Sequence, residues 1–295
     1  MKFSTSKPKI IVIGSSSIDL VLNVPNYPAQ NETIMATKVE SFFGGKGSNQ
    51  AVACARLGAS VYFAGAVGMD PFGQQIMRNM KDEGVHVGFV YESIDSETGT
   101  AYVTAFGNKN TIVVVPAANS TINKEQINDL EKFIPTADVI LLQLEIPMEI
   151  VEYTVKLAKK HGTKVGIYAA PAQILSTEIL EYATFIIAKS TELEIIFGKG
   201  AKEDILHQYP NKLFVRDDAN STTYFNGSEM KYYRNDSAEI TYAMGMGDAF
   251  TSGFAIAMCH NNSIDDCVQF GNQVSLKISS ERGSQKGLPY FSDFK

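Results

Sequence analysis

Two glycine-rich stretches carry most of the side chains that could do chemistry in this sequence. In the first, residues 44–47 read Gly-Gly-Lys-Gly, and Asn49 follows just before a run of small residues, 50–57. Glycine lets the backbone adopt positive φ and lets another group approach closely. Free N–H groups at a helix N-terminus, beside a lysine and an asparagine, suit an anion or a polyhydroxyl ligand. The stretch therefore predicts a ligand site, with a plain glycine turn before a helix as the alternative.

The second stretch repeats this design near the other end of the chain. Gly245 and Gly247 flank Met246, and Asp248 begins a predicted helix. Backbone N–H groups freed by the glycines can form an anion hole. A carboxylate at this place suits removal of a proton from a hydroxyl that attacks a phosphoryl group, although aspartate is also a good helix cap. Together the two stretches favour a site that binds one group and activates another.

Composition limits the class of protein. With 295 residues, 44% of them hydrophobic, the chain can bury a large core in one domain. A net charge of -6 without a basic stripe argues against a nucleic-acid partner. The four histidines are scattered, which argues against zinc, and the three cysteines are typical of buried thiols in a reducing compartment. No apolar run is long enough for a membrane span or a signal peptide, so we expect a cytoplasmic protein.

Strand and helix patterns alternate along most of the chain, which predicts an α/β protein with a mostly parallel sheet covered on both faces. The predicted strands are 9–13, 60–66, 139–144, 164–168, 184–188 and 212–216, and the predicted helices are 48–57, 71–83, 124–133, 147–161, 177–182, 248–260 and 264–281. Ligands of such sheets bind in the crevice at the carboxyl ends of the strands.

Two segments break this alternation. Residues 18–40 and 99–115 are strand-rich without a helix pattern, and the second reads as a hairpin that turns at Gly107-Asn108. We expect one domain, 1–295, with about 16–42 and 97–117 forming a small sheet that acts as a lid over the site.

Four stretches in the same order resemble the ribokinase-like (PfkB) carbohydrate and nucleoside kinases. They are GGKGSNQAVACARLGA (44–59), AGAVGMDPFGQQI (64–76), the QLE tripeptide within 137–151, and GMGDAF (245–250). The resemblance covers nearly the whole chain. It implies a three-layer α/β/α body with a β-sheet lid that often forms a dimer contact. The implied reaction is transfer of the ATP γ-phosphate to a sugar hydroxymethyl group, with Mg²⁺.

On the acceptor side, the resemblance matches nearly every position. Asp19 falls on the aspartate that holds two sugar hydroxyls, and Asp248 falls on the general base, with Gly245 and Gly247 at the anion hole. Ser17 stands where the family usually has an asparagine. The implied acceptor-binding residues are Ser17, Asp19, Gly45, Lys46, Asn49, Glu145 and Asp248.

The donor side departs from the family. Lys189 replaces the asparagine of an N-x-x-E motif, and residues 168–172 replace the usual NPAPA. Two aspartates stand in a glycine-rich turn and would repel a triphosphate. The implied nucleotide-binding residues are Lys189, Glu192 (also indirectly at Mg²⁺), Asp217, Asp218, Asn220, Gly247 and Asn272. Tyr242 and Met244 replace the ligands of a monovalent cation, so dependence on potassium is not expected.

Three hypotheses follow. The leading one is an ATP- and Mg²⁺-dependent sugar kinase, dimeric through its lid, that converts D-ribose to ribose 5-phosphate with Asp248 as general base. The second is a nucleoside kinase or another sugar kinase of the same family. The third is a degenerate member that binds a sugar with weak or no phosphoryl transfer. The altered donor side favours the third hypothesis, and the retained Asp248 argues against it.

Overall fold

The computed structural model describes residues 1–107, 109–218, 221–235 and 240–294. Within these residues, the larger sheet has nine strands, which we number in chain order. From one edge of the sheet to the other, they are His86–Ser93 (β5), Ser60–Gly68 (β4), Lys9–Ile13 (β1), Val139–Gln143 (β8), Val165–Tyr168 (β9), Phe185–Lys189 (β10), Leu213–Arg216 (β11), Ser221–Phe225 (β12) and Met230–Arg234 (β13). The strands from β5 across to β11 run parallel, and β12 and β13 are antiparallel to their neighbours. The mostly parallel sheet is confirmed.

Helices cover both faces of this sheet. One layer contains Lys46–Arg56 (α1), Pro71–Asp82 (α2), Met246–Cys259 (α8) and Ile264–Ile278 (α9). The other contains Lys124–Asp129 (α3), Met148–His161 (α4), Thr177–Tyr182 (α5), Leu193–Phe197 (α6) and Lys202–Gln208 (α7). Alternate residues of β1 divide between the two cores: Ile10 and Val12 face the first layer, whereas Ile11 and Ile13 face the second. This is the three-layer α/β/α body that the sequence predicts.

A smaller sheet lies beside this body. In chain order its strands are Ser17–Asn23 (β2), Lys38–Gly44 (β3), Thr100–Phe106 (β6) and Lys109–Val115 (β7), and their spatial order is β3-β2-β6-β7. The hairpin pairs Phe106 with Lys109 and has positive φ at Gly107, as the turn predicted there requires. Asn108 lies outside the described residues.

Some elements differ from the sequence prediction. Strands β5, β12 and β13 and helices α6 and α7 were not predicted, because each is only five to eight residues long and such short runs give a weak periodic pattern. The predicted helix 124–133 ends at Asp129, because the backbone N–H groups of Leu130, Glu131 and Phe133 bond to carbonyls three residues back, in tighter turns that lead into a 3₁₀ turn at Ile134–Thr136. Within the described residues, no helix is long and apolar enough to cross a bilayer.

Candidate active site

A cavity of about 660 Å³ opens at the carboxyl ends of β1 and β8, next to the first turns of α1 and α8. All of the predicted acceptor-binding residues line it: Ser17, Asp19, Gly45, Lys46, Asn49, Glu145 and Asp248. Gly245 lines it too. The structure therefore brings both glycine-rich stretches to one place, which we call the acceptor cavity.

The first glycine turn is shaped by close backbone approaches. Gly45 has φ +89, and a Cβ on it would lie 2.5 Å from the Cα of Ser16. A Cβ on Gly44 would lie 2.2 Å from Oδ1 of Asp19. Side chains at these two positions would collide with the chain segment that carries Asp19, so glycine is what allows the turn to begin α1 against β2.

Lys46 and Glu145 form an ion pair in this cavity. The Lys46 Nζ lies 3.3 Å from Oε1 of Glu145, and the Lys46 backbone N–H donates to Oε2 over 3.1 Å. The Ser15 hydroxyl donates to the same Oε2 over 2.5 Å. Burial alone lowers the pKa of Lys46, but the carboxylates of Glu145 and Asp248 outweigh it and raise the pKa overall. Lys46 is therefore a fixed positive charge in the cavity.

Asp248 lies in the first turn of α8 and is 3% exposed. Its Oδ2 accepts from the Asn49 amide at 3.0 Å and its Oδ1 accepts from the Gln50 amide at 3.2 Å. Gln143 donates in turn to Gln50 over 2.7 Å, so a chain of buried amides orients the carboxylate. Burial raises the pKa of Asp248 to about 6, against the lowering effect of Lys46 and Asn49. A carboxylate with this pKa can accept a proton near neutral pH.

Asp19 is the second buried carboxylate of the cavity. Its Oδ1 accepts from the Ser17 hydroxyl over 3.0 Å. Burial raises the pKa of Asp19 to about 6; the Ser17 hydrogen bond lowers it, and the nearby Glu145 carboxylate adds to the rise. A carboxylate in this place can accept hydrogen bonds from two neighbouring hydroxyls of a ligand.

A second cavity, of about 270 Å³, adjoins the first, and Lys189 lines both. We call it the donor cavity. The other residues that line it are Tyr168, Ser190, Thr191, Arg216, Asp217, Asp218, Ala243, Met246 and Gly247. The four predicted nucleotide-side residues Lys189, Asp217, Asp218 and Gly247 thus lie together, whereas Glu192 lines the acceptor cavity.

The two donor-side aspartates are paired with cations that the sequence analysis did not identify. Oδ1 of Asp217 lies 2.7 Å from Nζ of Lys202, and Oδ2 of Asp218 lies 3.2 Å from Nη1 of Arg234. These cations come from α7 and β13, two elements that the sequence did not predict. The pairs reduce the repulsion between the aspartates and a bound triphosphate.

Asn272 does not line either cavity. It is fully buried in α9, where its Oδ1 accepts from Nη1 of Arg216 over 3.1 Å and its amide donates to the Val268 carbonyl over 2.9 Å. Its contact with a nucleotide therefore stays a prediction. Asn220 lies outside the described residues.

The sequence analysis also missed Arg216, which lines the donor cavity, and Gln50, which donates to the Asp248 carboxylate. Arg216 and Gln50 are buried polar side chains inside predicted elements, and that placement was the one signal that could have identified them.

Glu192 offers a place for a magnesium ion to be anchored. Its Oε2 is buried without a hydrogen-bond partner in the described structure, and its Oε1 lies 3.5 Å from Nζ of Lys189. A lone carboxylate oxygen fits Mg²⁺, which proteins usually hold through one or two carboxylates together with water and substrate phosphates. In the described part of the chain, no three acidic, histidine or cysteine side chains group into a metal site.

Comparisons with known proteins agree with this fold. Residues 7–290 match the model of the pfkB family carbohydrate kinases. A ribokinase of Bacillus subtilis is 35% identical over 95% of this chain and 96% of its own length. A Lactococcus lactis ribokinase is 33% identical over 97% of this chain and 96% of its own. The structure of Arabidopsis thaliana ribokinase complexed with ribose and ATP superimposes with a TM-score of 0.86, at 26% identity over 97% of each chain. The chain belongs to the pfkB family of carbohydrate kinases and is a sugar kinase.

Proposed function

We propose that this chain transfers the γ-phosphate of ATP to the 5-hydroxymethyl group of D-ribose, giving ribose 5-phosphate and ADP. The observation that carries this proposal is the placement of Asp248, buried and held by two amides, in the same cavity as Asp19, Lys46 and Gly245. Relatives at 33–35% identity are ribokinases, and a structural neighbour is a ribokinase with ribose and ATP bound.

Each group in the acceptor cavity has a role in this proposal. Asp19 accepts hydrogen bonds from two ribose hydroxyls, and Lys46 and Asn49 donate to other sugar oxygens. Asp248 takes the proton of the hydroxymethyl group while that oxygen attacks the γ-phosphorus and the bond from phosphorus to the ADP oxygen breaks. The N–H groups of the turn at Gly245 and Gly247 stabilise the charge on the transferred group.

ATP and Mg²⁺ are the proposed cosubstrate and cofactor. The donor cavity joins the acceptor cavity at Lys189 and is lined by Gly247, which supports binding of the ATP phosphates beside these two residues. Glu192, with its unpartnered oxygen, is the proposed anchor for the hydration shell of the ion. When bound, Mg²⁺ would neutralise phosphate charge.

We further propose that the small sheet acts as a lid and forms a homodimer contact. The residues of its inner face, Ala101, Val103, Ile112 and Val114, line the acceptor cavity. Its outer face exposes Val39, Tyr102 and Val113, which are 62%, 46% and 64% exposed. Tyr102 and Val113 lie directly opposite each other on paired strands, so the outer residues form an apolar patch that a second copy could cover.

A sedimentation experiment tests this contact. The wild-type chain should sediment as a dimer, and Val113→Lys should sediment as a monomer. We place the reaction in the cytoplasm, a location that agrees with the three free cysteines.

The substrate is tested by measuring ADP release with ribose, deoxyribose, fructose and adenosine, each with ATP and Mg²⁺. Ribose should give the highest kcat/KM, and phosphorus NMR should show the phosphate on C5. Preference for adenosine would identify a nucleoside kinase instead. Ribose binding without turnover would identify a degenerate binder.

A further inference from the structure

Tyr168 is the last residue of β9 and lies beside the donor cavity, which meets the acceptor cavity at Lys189. It is 4% exposed and lines the donor cavity. Nζ of Lys46, which lines the acceptor cavity, lies 5.8 Å from the centroid of its ring. A cation near an aromatic ring is attracted to it, so Lys46 helps to hold this ring in place.

The Tyr168 hydroxyl lies against the anion-hole turn. A Cβ built on Gly247 would come within 2.2 Å of the hydroxyl oxygen, and within 2.5 Å of the carbon that bears it. Any side chain at position 247 would therefore collide with the phenol. Gly247 precedes Asp248 in α8, so the hydroxyl lies next to both the turn and the proposed base.

This hydroxyl is free to bind a ligand. Among the described residues, none forms a hydrogen bond with it, although the ring around it is buried. Burial raises the pKa of Tyr168, so the hydroxyl keeps its proton at neutral pH and is a neutral O–H donor.

We propose that the Tyr168 hydroxyl donates a hydrogen bond to an oxygen of the transferred phosphoryl group, next to the N–H groups at Gly247. This inference rests on the proposed function, because it assumes that a γ-phosphoryl group is bound at that turn. Preorganised donors aimed at developing charge are among the strongest catalytic contributions.

The test compares Tyr168→Phe with the wild type and with Tyr290→Phe, which removes a hydroxyl from an exposed tyrosine beside Arg56, away from both cavities. We would measure kcat, the KM of ribose and of ATP, the affinity for ADP by calorimetry, and thermal unfolding. For Tyr168→Phe, we expect kcat to fall about 100-fold, as for loss of one oxyanion-hole donor. The affinity for ADP should stay the same, since ADP lacks the transferred group. The ribose KM and the melting temperature should also stay the same, because the proposed hydrogen bond involves neither the sugar nor another residue of the protein. Tyr290→Phe should behave as the wild type.

Other outcomes overturn the proposal. An unchanged or increased kcat in Tyr168→Phe, with an active wild type, would show that the phenol only fills space or obstructs the turn, and the proposed function would stand. A matching loss of ADP affinity or of melting temperature would assign Tyr168 a role in folding or in holding the nucleotide. A wild type without turnover on any acceptor would overturn both the proposed function and this role.

Discussion

The side-chain amide of Asn49 donates a hydrogen bond to Oδ2 of Asp248 over 3.0 Å, and these residues are 199 positions apart in the chain. The bond joins the first turn of α1 to the first turn of α8. A residue that follows the glycines of one stretch thus orients the carboxylate that follows the glycines of the other. Because Asn49 also lines the acceptor cavity, the side chain that orients the proposed base is the same one that we propose to bind the sugar.

The Asp248 carboxylate is expected to dominate the rate. Asp248→Asn removes the basicity but keeps the size, so kcat should fall at least about 100-fold, the usual contribution of a general base. Calorimetry should show that ribose still binds and thermal unfolding should show a folded variant. Asp82→Asn, at an exposed position of α2, is the matched control and should keep full activity. A kcat equal to that of the wild type would leave Asp248 as a helix cap only.

The rate should also depend on pH through this group. Burial raises the pKa of Asp248 to about 6, and only the deprotonated carboxylate can take the proton. The kcat/KM should therefore be constant above neutral pH and fall about tenfold per pH unit well below 6, since kcat/KM reports the pKa values of the free enzyme. Asp19 titrates in the same range, so the profile should be repeated with Asp19→Asn, which must keep the acidic limb if Asp248 causes it. Disappearance of the limb in that variant would assign it to Asp19.

The sequence predicted the parts of this site that lie close together along the chain better than the contacts between residues far apart in the chain. The predicted residues of the acceptor cavity lie within residues 17–19, the two glycine-rich stretches and the QLE tripeptide, where residue type and spacing carry the information. The pairing of Asp217 with Lys202 and the amide chain from Gln143 to Asp248 depend on packing between elements distant in sequence. Periodicity does not encode such contacts, and the helix that carries Lys202 was itself not predicted.

The ionised Asp19 carboxylate should make the ligand-free protein less stable at neutral pH than it is at acidic pH. Burial raises its pKa from 3.8 to about 6, so between these values the folded protein holds a proton that the unfolded chain has released. Its contribution to stability is therefore present at low pH and is lost as the pH rises toward 6 and above. Asp19→Asn avoids this cost and can still accept from Ser17. The variant should gain roughly 2 kcal/mol in free energy of unfolding at pH 7.

The same variant should bind ribose more weakly, by about 10- to 100-fold, because a charged acceptor of hydrogen bonds is lost. Urea unfolding at pH 4 and pH 7, and ribose calorimetry, measure the two effects. At pH 4 the difference in stability from the wild type should nearly vanish. A variant that is less stable than the wild type at pH 7, or one with unchanged ribose affinity, would contradict this account.

Lys202 is expected to support ATP binding from outside the cavity. Its Nζ neutralises Asp217 at 2.7 Å, and Lys202→Ala would leave that carboxylate uncompensated beside the donor cavity. The ATP KM should rise several-fold while the ribose KM stays the same, and the effect should shrink at high salt because the pair is partly exposed. Lys199→Ala, on the neighbouring loop, is the control. The double variant with Asp217→Ala should restore the ATP KM; if it does not, Lys202 acts on something other than Asp217.

Potassium should have little effect on this kinase. Tyr242 and Met244 stand where related sequences are expected to place oxygen ligands for a monovalent cation. In the structure, the Tyr242 ring lies 5.6 Å from the guanidinium carbon of Arg282, so a positively charged side chain already lies next to this residue. Met244 lines the acceptor cavity and presents a thioether in place of a hydroxyl. Replacing tetramethylammonium with potassium in the assay should thus leave kcat and the KM values of ribose and ATP unchanged. The double variant Tyr242→Asp with Met244→Thr supplies two oxygen ligands, so its kcat should rise on adding potassium. A several-fold activation of the wild type would instead mean that backbone carbonyls near residue 244 bind the ion without help from these side chains.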